Sequence, residues 1–165
     1  MTAQYSSKTL PMLFAGWAMF QAWPYAAFMS DTLLPAQAVS GQSFYEAAWP
    51  VSIISFAVCL LAAMSVSARI DQYLSDRRPM VASGFLLIMG TVLIAVSGFA
   101  ESDPAFGLCV VGAAFTGIGT AFLQLCWQKV LVGIPSNHLA LGVPVGYSFS
   151  LVLAFGITVA PGMAD

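Results

Sequence analysis

The sequence predicts an all-α fold: a polytopic membrane helix bundle of five transmembrane helices forming a single domain over residues 1–165. Composition is the first of three observations that lead there. The chain is 59% hydrophobic and 7% charged, with a mean hydropathy of +0.87, whereas a soluble domain is about 45–50% apolar and about 25% charged. So few charges cannot cover the surface of a folded chain this size, and the same numbers exclude intrinsic disorder. Second, five windows free of Asp, Glu, Lys and Arg recur along the chain. Each approaches or exceeds the roughly 20 residues that a helix needs to cross about 30 Å of hydrocarbon. Third, the windows lack the period-2 alternation of a barrel strand, and an open sheet would leave its backbone polar groups unpaired in lipid.

The predicted spans are 10–29, 47–68, 79–100, 105–128 and 139–160, joined by polar connections of loop length. In the turn from Glu101 to Pro104, Asp103 and Pro104 read as a cap and first-turn pair for the fourth helix, which makes the third and fourth spans expected antiparallel neighbours. Pro24, Pro50 and Pro144 fall inside spans, where each removes a backbone hydrogen bond and favours a bend. Such interruptions can also line transporter cavities, and Pro50 has the further reading of a first-turn proline.

Orientation follows the basic residues. Lys8, Arg69, Arg77, Arg78 and Lys129 all fall on one side of the threading, while Asp31, Glu46, Glu101, Asp103 and Asp165 fall on the other. Because basic loops stay in the cytoplasm, the expected topology in the cell (inner or plasma) membrane has the N-terminus inside and the C-terminus external. A secretory leader is the competing reading of the first span, with Ala36-Gln-Ala38 as a cleavage-like site. The apolar run exceeds the usual 7–15 residues of such leaders, and this site lies well beyond its end.

Chemistry-bearing patterns are sparse. Cys59, Cys109 and Cys126 all lie in spans, and Cys109 and Cys126 stand about 25 Å apart on one helix, so no disulfide framework is expected. A single histidine, His138, and no CxxC pair give no metal site and no cofactor. Phosphate-cradling, zinc-protease and serine-hydrolase motifs are missing, so no catalytic residue is assigned and the chain reads as a non-enzyme. No basic run suggests contact of this segment with nucleic acid.

What remains is small residues and polar side chains inside the spans. Gly112, Gly117 and Gly119 on the fourth span, with Gly142 and Gly146 at GxxxG spacing on the fifth, are expected to let helices approach closely. Intramolecular packing is the preferred reading over a dimerisation motif. Trp17, Gln21, Pro24 and Phe28 share one face of the first span, and Gln124 and Gln128 form an i, i+4 pair around Trp127. Trp17, Gln21, Gln124 and Gln128 are therefore the candidate contacts for a small, mainly uncharged ligand. Their alternative roles are hydrogen bonding across helices and membership of an interfacial aromatic belt.

Five similar spans, a basic loop after the second and a glycine-rich fourth resemble the first half of a major facilitator superfamily transporter. In the loop running from Ser67 to Pro79, Asp71 matches the acid of that family's characteristic motif, and Asp76, Arg77 and Arg78 occupy its charged end. Ser67 replaces its glycine, the inner glycine is absent and the arginines arrive two residues late. Trp23-Pro-Tyr25, the Asp76-Arg-Arg-Pro79 run, Thr116-Gly-Ile-Gly-Thr-Ala121 and Leu125-Cys-Trp127 are similar to the facilitator-like membrane domains that open bacterial LuxR-type helix-turn-helix regulators.

That resemblance implies a membrane module that senses a small molecule for a DNA-binding domain, which this segment does not contain. A facilitator-type half has six helices, and a cytoplasmic DNA-binding domain needs an even number of crossings before it. The expected partners are therefore the lipid bilayer and either further C-terminal helices or a partner membrane subunit. One half of a secondary transporter is the alternative reading, and a non-catalytic assembly partner in the membrane is a second.

Overall fold

The computed structural model describes residues 9–29, 38–39, 42–99 and 103–159, with side chains for 9–24, 47–67, 69–70, 72–99 and 104–156. The fold is all-helical. Its helices are α1 (Thr9–Met29), α2 (Phe44–Ser65), the short α3 (Ser67–Tyr73), α4 (Arg78–Ser97), α5 (Asp103–Val132) and α6 (Ser136–Val159). A ladder of two residues per strand, β1 (Ala38–Val39) antiparallel to β2 (Gln42–Ser43), leads into α2.

Among the described residues, four helices are long and apolar enough to cross a membrane: Ala47–Ser65, Arg78–Ser97, Pro104–Val132 and Ser136–Gly156. The chain is a multi-pass membrane protein. α1 has 21 residues without a charge, about 31 Å at the helical rise.

Several boundaries differ from the hydropathy windows. The second span ends where Val66, with φ −121° and ψ 30°, interrupts the helix, and α3 follows inside the segment expected to be a loop. Pro50 is interior to α2 and is not a first-turn residue. α5 runs on past Lys129 to Val132, leaving only residues 133–135 before α6, because a lysine at a helix C-terminus is compatible with the dipole and reaches toward polar surroundings. Asp103 is the first residue of α5, and its side chain, with those of Glu46 and Asp71, lies outside the description. Lys8, Asp31, Glu101, Asp165 and the Ala36-Gln37 part of the cleavage-like site also lie outside the described residues.

The chain forms two compact units: residues 1–30 with 127–165, and residues 31–126. In the second unit, α4 and α5 are antiparallel neighbours. On α4, Ser83, Leu87, Gly90, Ile94 and Ser97 repeat at alternating four- and three-residue steps, and on α5 so do Ala105, Cys109, Gly112, Thr116 and Gly119. A Cβ at Gly90 would overlap the Thr116 hydroxyl and lie 2.7 Å from the Gly112 carbonyl oxygen, one at Gly112 would lie 2.8 Å from the Gly90 carbonyl oxygen, and one at Gly119 3.1 Å from Leu87 and Ser83. Ser97 lies in hydrogen-bonding reach of Cys109 at the far end. This 4-3-4-3 spacing keeps one stripe of each helix facing its neighbour. Another face of α5 meets α2: a Cβ at Gly117 would overlap the Ser52 carbonyl oxygen and come within 3.0 Å of the Ser55 side chain.

Along α4, burial runs largely opposite to that of a water-soluble protein. Ser83 is 1% exposed while Phe85, two residues on, is 63% exposed; Val81, Ile88, Val92 and Val96 are exposed with it. Lipid tails solvate large apolar side chains, so the α4–α5 seam is left mostly to residues small enough for close backbone approach. Buried hydroxyls bond to their own helix: Ser83 to the Met80 carbonyl at 2.8 Å, Ser97 to Ile94 at 2.7 Å and Thr116 to Gly112 at 2.9 Å. Each is thereby satisfied without needing a partner on another helix.

Candidate functional site

In the first unit, polar and aromatic side chains of α1 and α6 come together. α1 and α6 run parallel, because their contacts advance together. A Cβ at Gly142 would overlap the Phe14 ring, and one at Gly146 would lie 2.8 Å from the six-membered ring of Trp17. Next along, the Gln21 amide nitrogen donates to the Tyr147 hydroxyl at 3.1 Å. Glycines at 142 and 146 thus let two large rings of α1 sit against the α6 backbone.

Trp17 is 1% exposed. Its ring meets that of Tyr147 edge to face, with centroids 4.7 Å apart and an interplanar angle of 79°, a geometry that the aromatic quadrupole favours. The Trp17 indole N–H is buried and has no hydrogen-bond partner, and the same holds for Trp23. A donor left unsatisfied in a low-dielectric setting gains from any acceptor that reaches it. Trp17, Tyr147 and Gln21 thus gather two packed aromatic rings, an indole donor and an amide at one place between α1 and α6.

The expected site residues are distributed as follows. Trp17 and Gln21 belong to this cluster. Gln128 is exposed in the first unit, and Trp127 packs its ring against Gly16, where a Cβ would lie 3.3 Å away. Gln124 is half-buried in the second unit. The loop charges form a local arrangement at the start of α4. The Arg77 backbone N–H donates to an Asp76 carboxylate oxygen at 2.7 Å, and the other oxygen pairs with the Arg78 guanidinium at 3.4 Å in an exposed setting. Asp71 is placed within α3.

Tyr147 is the participant that sequence reasoning missed. Its one signal was position, since it follows Gly146 directly in a motif singled out for packing alone. Beside the cluster, a crevice of about 540 Å³ runs between α1 and α6. Its floor includes Ala18 and Gly146, its sides Phe14, Leu141 and Val145, and its one end Asn137 and His138. Among the described residues no group of three His, Cys, Asp or Glu side chains is placed to hold a metal ion.

No known protein family, curated protein or solved structure matches the chain.

Proposed function

We propose that this chain is the small-molecule-sensing membrane module of a facilitator-like regulator of the LuxR type, non-catalytic and crossing the inner membrane five times from a cytoplasmic N-terminus. The observation that carries the reading is the Trp17–Tyr147–Gln21 cluster with its unpartnered indole N–H. Aromatic faces with a few placed polar groups suit a compact, mainly uncharged ligand bearing an acceptor. Because the cluster bridges α1 and α6, occupancy there biases how those two helices pack, which is what a sensor needs to transmit.

Five crossings are supported by parity. Parallel α1 and α6 start on the same side of the membrane, and α2, α4 and α5 between them contribute three crossings. Three alone would put the start of α6 on the opposite side from the start of α1, which favours α1 as a fourth crossing before α6. Arg69, Arg77, Arg78 and Lys129 then share one side, the cytoplasmic one by charge bias. Reporter fusions ending at residues 75 and 134 are expected to be cytoplasmic and a fusion at 159 external; a cytoplasmic signal at 159 would overturn five crossings.

The alternative, one half of a secondary transporter, draws on the Asp76–Arg78 arrangement in the loop that resembles the facilitator motif. Proteoliposomes separate the two readings. A saturable change in tryptophan emission on adding an uncharged acceptor-bearing solute, lost in Gln21→Leu and unaccompanied by solute flux, supports sensing. Flux lost in that same variant supports transport. Absence of any saturable response across a solute panel overturns both, leaving an assembly role.

A further inference from the structure

From the crevice between α1 and α6 we infer that it is a binding site for one acyl chain of a phospholipid drawn from the leaflet on the side of the N-terminus, with the headgroup phosphate held by Asn137 and His138. Shape and chemistry agree. Along α6 the crevice runs from Asn137 and His138 to Phe149, and along α1 from Leu10 to Ala18. The run from His138 to Phe149 is about 16 Å at 1.5 Å per residue, close to half of a hydrocarbon core about 30 Å thick. A neighbouring transmembrane helix would call for a groove along the whole length of α1 and α6. This one ends near the midpoint of both, which is the reach of a chain anchored at one surface.

The lining has the polarity of an amphiphile. Among the described residues the side-chain polar groups sit at one end, where the Asn137 amide and the His138 imidazole, both exposed, offer donors to phosphate oxygens, and none of them is a carboxylate that would repel a phosphate. Further in, the described lining is apolar. Gly142, Gly146, Ala15 and Ala18 keep the crevice deep, and Phe14, Leu141 and Val145 line its sides. A volume of about 540 Å³ falls within the range of sites for small ligands. The inference rests on α1 being a membrane span, which the fusions above test separately. It is independent of whether the Trp17 cluster senses a solute.

The test is native mass spectrometry of the full chain in mild detergent with added dioleoyl phosphatidylglycerol. One lipid is expected to stay bound per chain, with retention falling about tenfold or more in Ala15→Phe. Val81→Phe, on the outward face of α4, is expected to leave it unchanged. Asn137→Ala with His138→Ala is expected to weaken phosphatidylglycerol but not dioleoylglycerol, which lacks the phosphate. Helical circular dichroism confirms that each variant is folded; if Ala15→Phe is not, Val145→Trp fills the crevice from α6. Equal retention in the crevice-filling and Val81 variants would overturn the site. A dimer of the parent that Ala15→Phe converts to monomer would give the crevice to a second copy instead.

Discussion

Gln21 and Tyr147, 126 positions apart in the chain, are joined by a hydrogen bond of 3.1 Å from amide nitrogen to hydroxyl oxygen. It fixes the register of α1 against α6 at the point where the Trp17 ring meets Tyr147 edge to face. In water such a bond would compete with solvent. Between membrane helices it competes with other intramembrane partners, and such bonds contribute about 0.6 kcal/mol on average and up to about 1.7.

Tyr147→Phe keeps the ring and removes the hydroxyl, so it is expected to destabilise the protein by about 0.5–1.5 kcal/mol. Gln21→Leu should cost a similar amount and the double variant little more, because the pair acts as a unit. Unfolding in mixed micelles, read as a double-mutant cycle, checks this. Strict additivity would show that the bond contributes nothing.

Gly142→Leu is expected to destabilise by about 1–3 kcal/mol, since its side chain must displace the Phe14 ring. Adding Phe14→Ala should recover part of that loss by vacating the space. Thermal unfolding of the single and double variants measures the recovery, and a double variant no better than the sum of its parts would deny the contact.

Glycines of α4 and α5 divide into two groups. Gly90 and Gly112 face each other's backbones, whereas a Cβ at Gly84 or Gly107 meets nothing within 4 Å. Gly84→Ala and Gly107→Ala are expected to be neutral or to stabilise by up to about 1 kcal/mol through helix propensity. Gly90→Val should destabilise by about 1–3 kcal/mol by pushing α4 off α5. Melting temperatures of the three variants in one detergent decide it.

Asp76→Asn breaks an exposed ion pair with Arg78 and is expected to change stability by less than about 1 kcal/mol, as such pairs do. It thus separates the two functional readings. A stable Asp76→Asn protein that retains a solute-induced fluorescence change fits sensing, while abolished flux in the same stable protein fits a gating role.

Hydropathy read the four membrane-crossing helices well because a charge-free stretch of sufficient length has few other uses. It misplaced their ends. Lys129 looked like the start of a loop, yet a helix tolerates a terminal lysine and α5 continues to Val132. The 67–73 helix was hidden because so short an element leaves little periodic signal. Adjacent pairing of α4 and α5 followed from their short connection. The pairing of α1 with α6 did not, since an apolar pattern that runs around a helix names no preferred neighbour. Tyr147 was missed for the same reason: its importance lies in facing Gln21 from a distant segment, a relation that local spacing does not carry.

The seam of Gly90, Gly112, Thr116 and Ser83 has a consequence for how this chain tolerates change over evolutionary time. On the outward stripe, leucine, valine and phenylalanine are interchangeable to the surrounding oil, while a single added methyl group inside meets backbone. Drift would therefore blur the bulky residues first and spare the tiniest ones. Kinship, wherever this architecture recurs, would be written in its glycines, alanines and serines.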